Sequence, residues 1–249
     1  MDSALSGGKR VNWPNRDRSD SHSTMRVRVF IDHWEFARSW QLEHSKITRR
    51  KLTEPDRRNA QIESQMIQWA LLPDAILKHL SEMAYIGDAP KEMRAIDVYA
   101  SILKTNDAAT NAFRDWLDEE LDPLPGFQVH NFLRKQDTST PHCSRCGADL
   151  EKPELEKGLK TKVACDMLSC AVKDLYDIGV LIMDDAELVP SVLSVQEIFD
   201  KQIIHVGARN EGDELRSAAW GHFLLEDLMP DIISSDEFRR QFDNRRKNK

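Results

Sequence analysis

The sequence predicts an α/β sandwich around a mostly parallel sheet of five strands flanked by helices. Two observations lead to this class. Segments rich in β-branched residues alternate with segments of helical periodicity, which is the pattern of repeated strand–helix–strand units. The run Ile178–Met183 is apolar throughout, as in strands that are buried on both faces of a parallel sheet.

Local patterns predict the elements of the N-terminal half. The first strand is β-branched and aromatic and becomes fully apolar before its final acid, Asp32. Pro55 lies in a charged stretch that indicates a loop or short helices, and Pro73 marks a helix start. The predicted elements are the strand Met25–Asp32, a loop or short helices over 41–58, helices over 60–71 and 75–83, and a strand over 95–103.

The C-terminal half continues the alternation. Asn106 or Asp107 is expected to cap the first helix of this half. The helix over 160–176 has a predicted buried stripe of Val163, Met167, Leu168, Ala171, Val172 and Leu175. The predicted elements are a helix over 106–121, a strand over 127–133, a helix over 160–176, the strand Ile178–Met183, a helix over 186–199, a fifth strand over 202–206 and a closing helix over 213–228.

Composition excludes several classes of protein. The chain has 249 residues, 40% apolar and 31% charged, which is inconsistent with fibrous, collagen-like or wholly disordered proteins. Its longest apolar run is far below the roughly 20 residues that span a bilayer, and the first residues lack the apolar stretch of a signal peptide. We therefore expect a soluble, cytoplasmic protein without membrane contact. Four unevenly spaced Cys indicate reduced thiols or a metal site.

Three regions are expected along the chain. Residues 1–24 are polar and lack periodicity, which is typical of a disordered segment, whereas residues 25–230 form the α/β domain. Residues 231–249 form a basic tail, or alternatively a frayed, solubilising terminus. The net charge is −7 although both ends are basic, so the folded part is acidic. Nucleic-acid binding would need local basic patches, the tail, or metal ions that neutralise clustered carboxylates.

Acidic residues follow two of the most apolar strands. Asp32 ends the first strand, and Asp184 and Asp185 follow Ile178–Met183. In open parallel sheets, functional groups collect beyond the carboxyl ends of the strands, where the strand order reverses. Each acid taken singly could be a helix N-cap. If several carboxylates converge there, they require a cation such as Mg²⁺ or Mn²⁺.

Three motifs resemble those of the NYN-domain family of PIN-like ribonucleases. VFIDHWEF at residues 29–36 looks like that family's opening motif, an apolar strand ending in Asp and followed by Gly, any residue and Asn. EKGLKTKVACDML at residues 156–168 is similar to the family's Glu-Lys-Gly-Val-Asp-Val followed by Asp-Met-Leu. YDIGVLIMDDAELVP at residues 176–190 resembles a strand that ends in Ser-Gly-Asp-Ser-Asp-Phe-x-Pro. The resemblance covers residues 25–36 and 155–228.

The resemblance implies a PIN-like sandwich that hydrolyses RNA phosphodiesters. Its five-stranded parallel sheet would bring Asp32, Asp166, Asp185 and Glu187 together as catalytic residues around one or two Mg²⁺ or Mn²⁺ ions, which lower the pKa of a bound water. Asp32 and Asp185 would be direct ligands, Asp166 and Glu187 further ligands, and Glu35 another ligand at the family's Asn position. The implied activity is that of a metal-dependent ribonuclease, with RNA as partner. The sequence leaves open whether cleavage is endonucleolytic and whether the chain assembles with a second copy or another protein.

Several departures from the motifs support an alternative function. Lys160 stands where the family has Asp, and His33 replaces the Gly after Asp32. Met183–Asp184 replaces Ser-Gly, and Glu187 replaces Asp. The alternative is a catalytically weakened PIN-like module that acts by binding RNA or protein. A small-molecule-binding doubly wound domain is a weaker alternative, because no Gly-rich loop follows the first strand.

Basic residues near the motifs are candidates for binding the RNA backbone. They are Arg134 and Lys135 after the third strand, Lys157, and Lys162. Lys162 and Asp166 are four residues apart on one helix face, so this face could present Asp166 to the metal with a cation beside it. It could equally be a solvated face with an ion pair.

The first two cysteines leave two interpretations open. Cys143-Ser144-Arg145-Cys146-Gly147 with the adjacent His142 resembles a structural zinc knuckle inserted over residues 136–156, with His142, Cys143 and Cys146 as ligands. The alternative is a plain turn with reduced thiols. Cys165 and Cys170 lie about 140° apart around a predicted helix, so they cannot both reach one ion.

Overall fold

Six parallel strands form one sheet in the residues that the structure describes. The structure is a computed structural model, and it describes residues 24–48, 64–65, 67–104, 107–134, 146, 158–209 and 211–233. The strand order is β3-β2-β1-β4-β5-β6, and every neighbouring pair is parallel. The strands are β1 (Met25–Asp32), β2 (Lys91–Leu103), β3 (Phe127–Arg134), β4 (Ile178–Ile182), β5 (Gln202–Gly207) and β6 (Gly221–Leu224).

Helices connect these strands and cover the sheet. They are α1 (His33–Thr48), α2 (Leu72–Glu82), α3 (Ala108–Trp116), α4 (Leu159–Val172), α5 (Val189–Phe199), α6 (Asp213–Ala218) and α7 (Leu225–Leu228). As predicted, Asp107 caps α3 by accepting a hydrogen bond from the Thr110 N–H, and Pro73 lies in the first turn of α2. Among the described helices, none is long and apolar enough to cross a membrane.

A separate hydrophobic core lies on each face of the sheet, because side chains alternate along a strand. On one face, Val27, Val29 and Ile31 of β1 pack with residues of α1, α2, α3 and α7. On the other face, Phe30 packs with residues of α4, α5 and α6. The predicted α/β class with helices on both sides of a parallel sheet is therefore confirmed, although the strand count is six rather than five.

The strand order reverses between β1 and β4, which pair directly through Ile31 and Ile182. Helix α1 leaves β1 toward one face of the sheet, and α5 follows β4 on the other face. The two connections diverge at the carboxyl edge of the sheet. In open α/β sheets this divergence leaves a crevice in which ligands bind.

The prediction of a loop or short helices over 41–58 is wrong up to Thr48, because α1 continues to that residue. Phe36 and Trp40 lie one turn apart on α1 and are buried in the core. Gln41 and Ser45 are buried as well, so α1 continues through its charged second half. The predicted helical stripe is also too long: Val172 at the end of α4 is 65% exposed, and Leu175 lies beyond the helix. Residues 1–23, 49–63 and 234–249 lie outside the described residues.

The predicted closing helix over 213–228 is wrong, because this stretch contains α6, β6 and α7 instead. Helix α6 ends at Ala218, and β6 then adds a sixth strand beside β5. Gly221 at the start of β6 lets the Tyr85 side chain approach closely, since a Cβ there would overlap its ring and hydroxyl. A four-residue strand next to short helical turns has too little periodicity to be recognised from sequence.

Candidate functional site

Asp32 occupies the carboxyl end of β1, beside the point where the strand order reverses. Its side chain is 1% exposed. One carboxylate oxygen, Oδ1, accepts hydrogen bonds from the backbone N–H groups of Trp34 (2.9 Å) and Glu35 (3.2 Å), so Asp32 caps the start of α1. The other oxygen, Oδ2, is bound by the ammonium of Lys160 at 2.8 Å. Capping therefore occupies only one of its two oxygens.

Three carboxylates lie around the ammonium of Lys160. Its Nζ contacts the Glu35 carboxylate as well as Asp32, and it lies 3.6 Å from Asp185 Oδ2. Lys160 belongs to the first turn of α4, which begins after Gly158 in the left-handed conformation (φ 94°). Asp185 follows β4, and its Oδ1 accepts a hydrogen bond from the Glu187 N–H. We call Asp32, Glu35, Asp185 and Lys160 the carboxylate cluster.

The carboxylate cluster has more negative than positive charge. Burial raises the pKa of Glu35, and the nearby charge of Asp32 raises it further, whereas Lys160 opposes both effects. Burial alone would lower the pKa of Lys160, but the charges of Asp32 and Glu35 outweigh it and raise that pKa above its ordinary value. Lys160 therefore stays protonated, and one ammonium faces three carboxylates.

Asp184 lies beside the cluster and connects it to β5. Its backbone N–H donates to Glu35 Oε2 at 2.6 Å, which holds the second oxygen of that carboxylate. Its side chain turns toward His205, whose Nε2 lies 3.2 Å from Asp184 Oδ1 and donates to the Met183 carbonyl at 2.9 Å. A Cβ at Gly207 would overlap the Asp184 carboxylate and lie 2.6 Å from the His205 ring. Gly207 at the end of β5 thus leaves room for the Asp184 side chain.

Asp166 and Glu187 do not join the carboxylate cluster through any described hydrogen bond or ion pair. Asp166 accepts a hydrogen bond from the Tyr99 hydroxyl at 2.9 Å and pairs with Lys162. Since Asp166 follows Lys160 by six residues, it lies about 240° further around α4. The side chain of Glu187 is exposed. Of the predicted metal ligands, the structure thus brings Asp32, Glu35 and Asp185 to one ammonium, and it places Asp166 and Glu187 elsewhere.

A buried polar network adjoins the cluster, and sequence patterns did not indicate it. Asp97 of β2 accepts two hydrogen bonds from Arg28 (2.7 and 2.9 Å) and contacts His130 Nε2 at 3.0 Å. Burial alone would raise the pKa of Asp97, but hydrogen bonds from His130 and Arg28 outweigh it and lower that pKa. The His130 ring stacks on Tyr99, with centroids 4.8 Å apart. Because Tyr99 pairs in register with Asp32, this network reaches the edge of the site.

The other predicted site residues are placed in part. Lys162 pairs with Asp166 near the start of α4, and Arg134, at the end of β3, is 5% exposed. Cys146 is an exposed free thiol. As expected, Cys165 and Cys170 lie on different sides of α4, one exposed and one buried. The remaining candidates, Lys135, Lys157, His142 and Cys143, lie outside the described residues.

The cluster fits a divalent cation in its donor atoms but not in its present arrangement. Carboxylate oxygens are the ligands that Mg²⁺ prefers, and Asp32, Glu35 and Asp185 supply three such groups. The Lys160 ammonium, however, stands where they meet. In the described part of the chain, no three His, Cys, Asp or Glu side chains are arranged to hold a metal. An ion would fit only after the ammonium leaves.

Comparisons with known proteins yield similar structures but no family. No family profile and no curated protein matches the chain. A protein of unknown function from Vibrio parahaemolyticus is 14% identical, with a TM-score of 0.47 over 82% of this chain and 95% of its own. A Listeria monocytogenes protein described as a UDP-N-acetylglucosamine 2-epimerase is 11% identical, with a TM-score of 0.33 over 90% of this chain.

This chain spans 42% of that epimerase chain. A Sir2 enzyme is 12% identical, with a TM-score of 0.32 over 90% of this chain and 95% of its own. These likenesses are too distant to carry an argument about function.

Proposed function

We propose that the protein is a divalent-metal-dependent ribonuclease of the PIN-like type, which hydrolyses RNA phosphodiesters at the carboxylate cluster. The observation that carries this proposal is the meeting of Asp32, Glu35 and Asp185 at Lys160 Nζ, at the edge where the strand order reverses. The three acids come from β1, from α1 and from the segment after β4. Helix capping accounts for the position of one carboxylate oxygen of Asp32 and one of Asp185. It does not account for the approach of both carboxylates to the same ammonium, that of Lys160.

Each residue of the cluster has a definable role in this function. Asp32, Glu35 and Asp185 would hold the ion. A bound Mg²⁺ or Mn²⁺ supplies a water of lowered pKa and stabilises charge on the phosphate. The backbone N–H of Asp184 keeps Glu35 turned toward Lys160, and the two N–H groups at the start of α1 fix the rotation of the Asp32 carboxylate. Lys162, about 200° around α4 from Lys160 and paired with Asp166, would supply positive charge for the RNA backbone.

An RNA cleavage assay with Mn²⁺ or Mg²⁺ tests the proposal. We expect Asp32→Asn and Asp185→Asn each to reduce the cleavage rate at least about 100-fold, as for loss of a transition-state contact. The matched control is Asp231→Asn, because Asp231 pairs with Lys78 of α2 on the opposite face of the sheet. Cleavage that persists in both cluster variants, or that needs no divalent ion, would reject the proposal.

A second candidate is a PIN-like module that binds RNA without cleaving it. The position of Lys160 favours it, because a built-in ammonium neutralises part of the acidic charge without any metal. This candidate predicts no cleavage with any divalent ion. It also predicts RNA affinity that Asp32→Asn and Asp185→Asn leave unchanged, measured by fluorescence anisotropy.

A further inference from the structure

We infer that the Lys160 ammonium is the internal counter-ion of the carboxylate cluster and competes with a divalent cation for Asp32, Glu35 and Asp185. The inference deepens the proposed function, on which it depends for the identity of the ion. It assigns to Lys160 the control of metal affinity.

The geometry places the ammonium where an ion would have to bind. Lys160 Nζ lies 2.8 Å from Asp32 Oδ2 and 3.6 Å from Asp185 Oδ2, and it also contacts Glu35. The three carboxylates point at this one atom. A cation that binds all three must therefore take the place of the ammonium.

The side chain of Lys160 is able to leave. It is 22% exposed, so a route to solvent exists beside the cluster. An ammonium on a flexible four-carbon stem can move to water without displacing the backbone of α4. Arg38, another cation on α1, is held by Glu211 at 3.0 Å, so it is already engaged elsewhere.

Charge gives the divalent ion an advantage. Three carboxylates around one ammonium leave two formal negative charges in a largely buried place. One divalent ion in place of the ammonium would leave one formal negative charge. The ammonium thus stabilises the cluster when ions are scarce, and the ion replaces it at higher concentration.

Titration of the full chain with Mn²⁺, followed by electron paramagnetic resonance, tests the inference. The variants are Lys160→Met, which keeps an unbranched side chain but removes the charge, and Lys160→Arg, which keeps the charge. Lys78→Met is the matched control, since Lys78 also pairs with an acid, Asp231, but on the other face of the sheet. We expect Lys160→Met to lower the Kd for Mn²⁺ at least about tenfold, with Lys160→Arg and Lys78→Met close to the wild type.

Thermal unfolding gives a second readout. Mn²⁺ should raise the Tm of Lys160→Met more than that of the wild type, because a tighter ligand stabilises the folded state more at equal concentration. Adding Asp32→Asn to Lys160→Met should remove the gained affinity, which would locate the ion at the cluster. If the Met variant does not fold, Lys160→Gln replaces it; if neither folds without ions, refolding by Mn²⁺ supports the inference.

Equal Mn²⁺ affinity in the wild type and Lys160→Met would overturn the inference. Absence of Mn²⁺ binding to both, or a failure of Mn²⁺ to refold the neutral variants, would overturn it as well. Because the readouts are ion binding and Tm, a chain that binds Mn²⁺ as expected but does not cleave RNA would refute the proposed ribonuclease and leave this inference standing.

Discussion

Asp97 shows what a single buried carboxylate contributes next to the site. It is 1% exposed, and it joins β1 to β3 through Arg28 and His130. Asp97→Asn would leave the Arg28 charge without its partner. We expect a loss of about 3–5 kcal/mol in the free energy of unfolding, the usual cost of breaking a buried pair, measured by urea denaturation. A loss below about 1 kcal/mol, typical of surface pairs, would show that the network contributes little.

Glu35 should make stability depend on pH in a particular direction. Its pKa is raised above the ordinary 4.5, so its contribution to stability is full below pH 4.5 and is lost as pH rises through the raised value. Glu35→Gln removes this dependence. We therefore expect the wild-type free energy of unfolding to fall relative to that of Glu35→Gln as pH rises through this window.

Urea denaturation at a series of pH values measures this difference between the two proteins. Glu187→Gln is the control, because the Glu187 side chain is exposed outside the cluster. If the free energy of unfolding of the wild type instead rises relative to that of Glu35→Gln as pH increases, the upward direction assigned to the pKa of Glu35 is wrong.

At the scale of elements, the end of β5 packs closely against the segment after β4. Gly207→Ala would push a methyl group into the Asp184 carboxylate and the His205 ring, which is 1% exposed. We expect a loss of about 1–3 kcal/mol in stability, the usual cost of overpacking. Asp184→Ala should relieve part of this cost in the double variant.

A double-mutant cycle by chemical denaturation checks this coupling. We expect an interaction free energy of about 0.5–3 kcal/mol between positions 184 and 207, as is usual for residues in contact. Additive losses would show that the two positions do not compete for the same space.

The sequence predicts most strands because their composition and periodicity are local properties. Met25–Asp32 was predicted with its observed bounds, and the buried run after Tyr176 ends only one residue earlier than expected. Strand β6 could not be predicted, because its four residues form a strand only by pairing with β5. The continuation of α1 beyond Trp40 accompanies the burial of Gln41 and Ser45, and burial depends on tertiary contacts.

The candidate site could likewise be predicted only in part. Asp32 and Asp185 could be predicted to approach each other, since both follow strands whose carboxyl ends share one edge of a parallel sheet. The position of Lys160 in the middle of the cluster could not be predicted, because it depends on how α4 packs against β1. Asp166 was expected beside these acids, but the rotation of α4 turns it toward Tyr99.

At the scale of the whole molecule, the strand order decides where chemistry can occur. The order β3-β2-β1-β4-β5-β6 puts α1 and α5 on opposite faces and leaves the carboxyl ends of β1 and β4 between them. The sheet therefore carries three carboxylates and one ammonium at the edge where its two halves meet. We propose that these carboxylates form a site for a divalent ion.

Anomalous X-ray scattering from crystals of the full chain grown with Mn²⁺ tests this claim most directly. We expect an anomalous peak within coordination distance of Asp32, Glu35 and Asp185, with the Lys160 ammonium moved out of the cluster. Crystals in which Lys160 Nζ still lies between the three carboxylates, with no anomalous peak beside them, would contradict it.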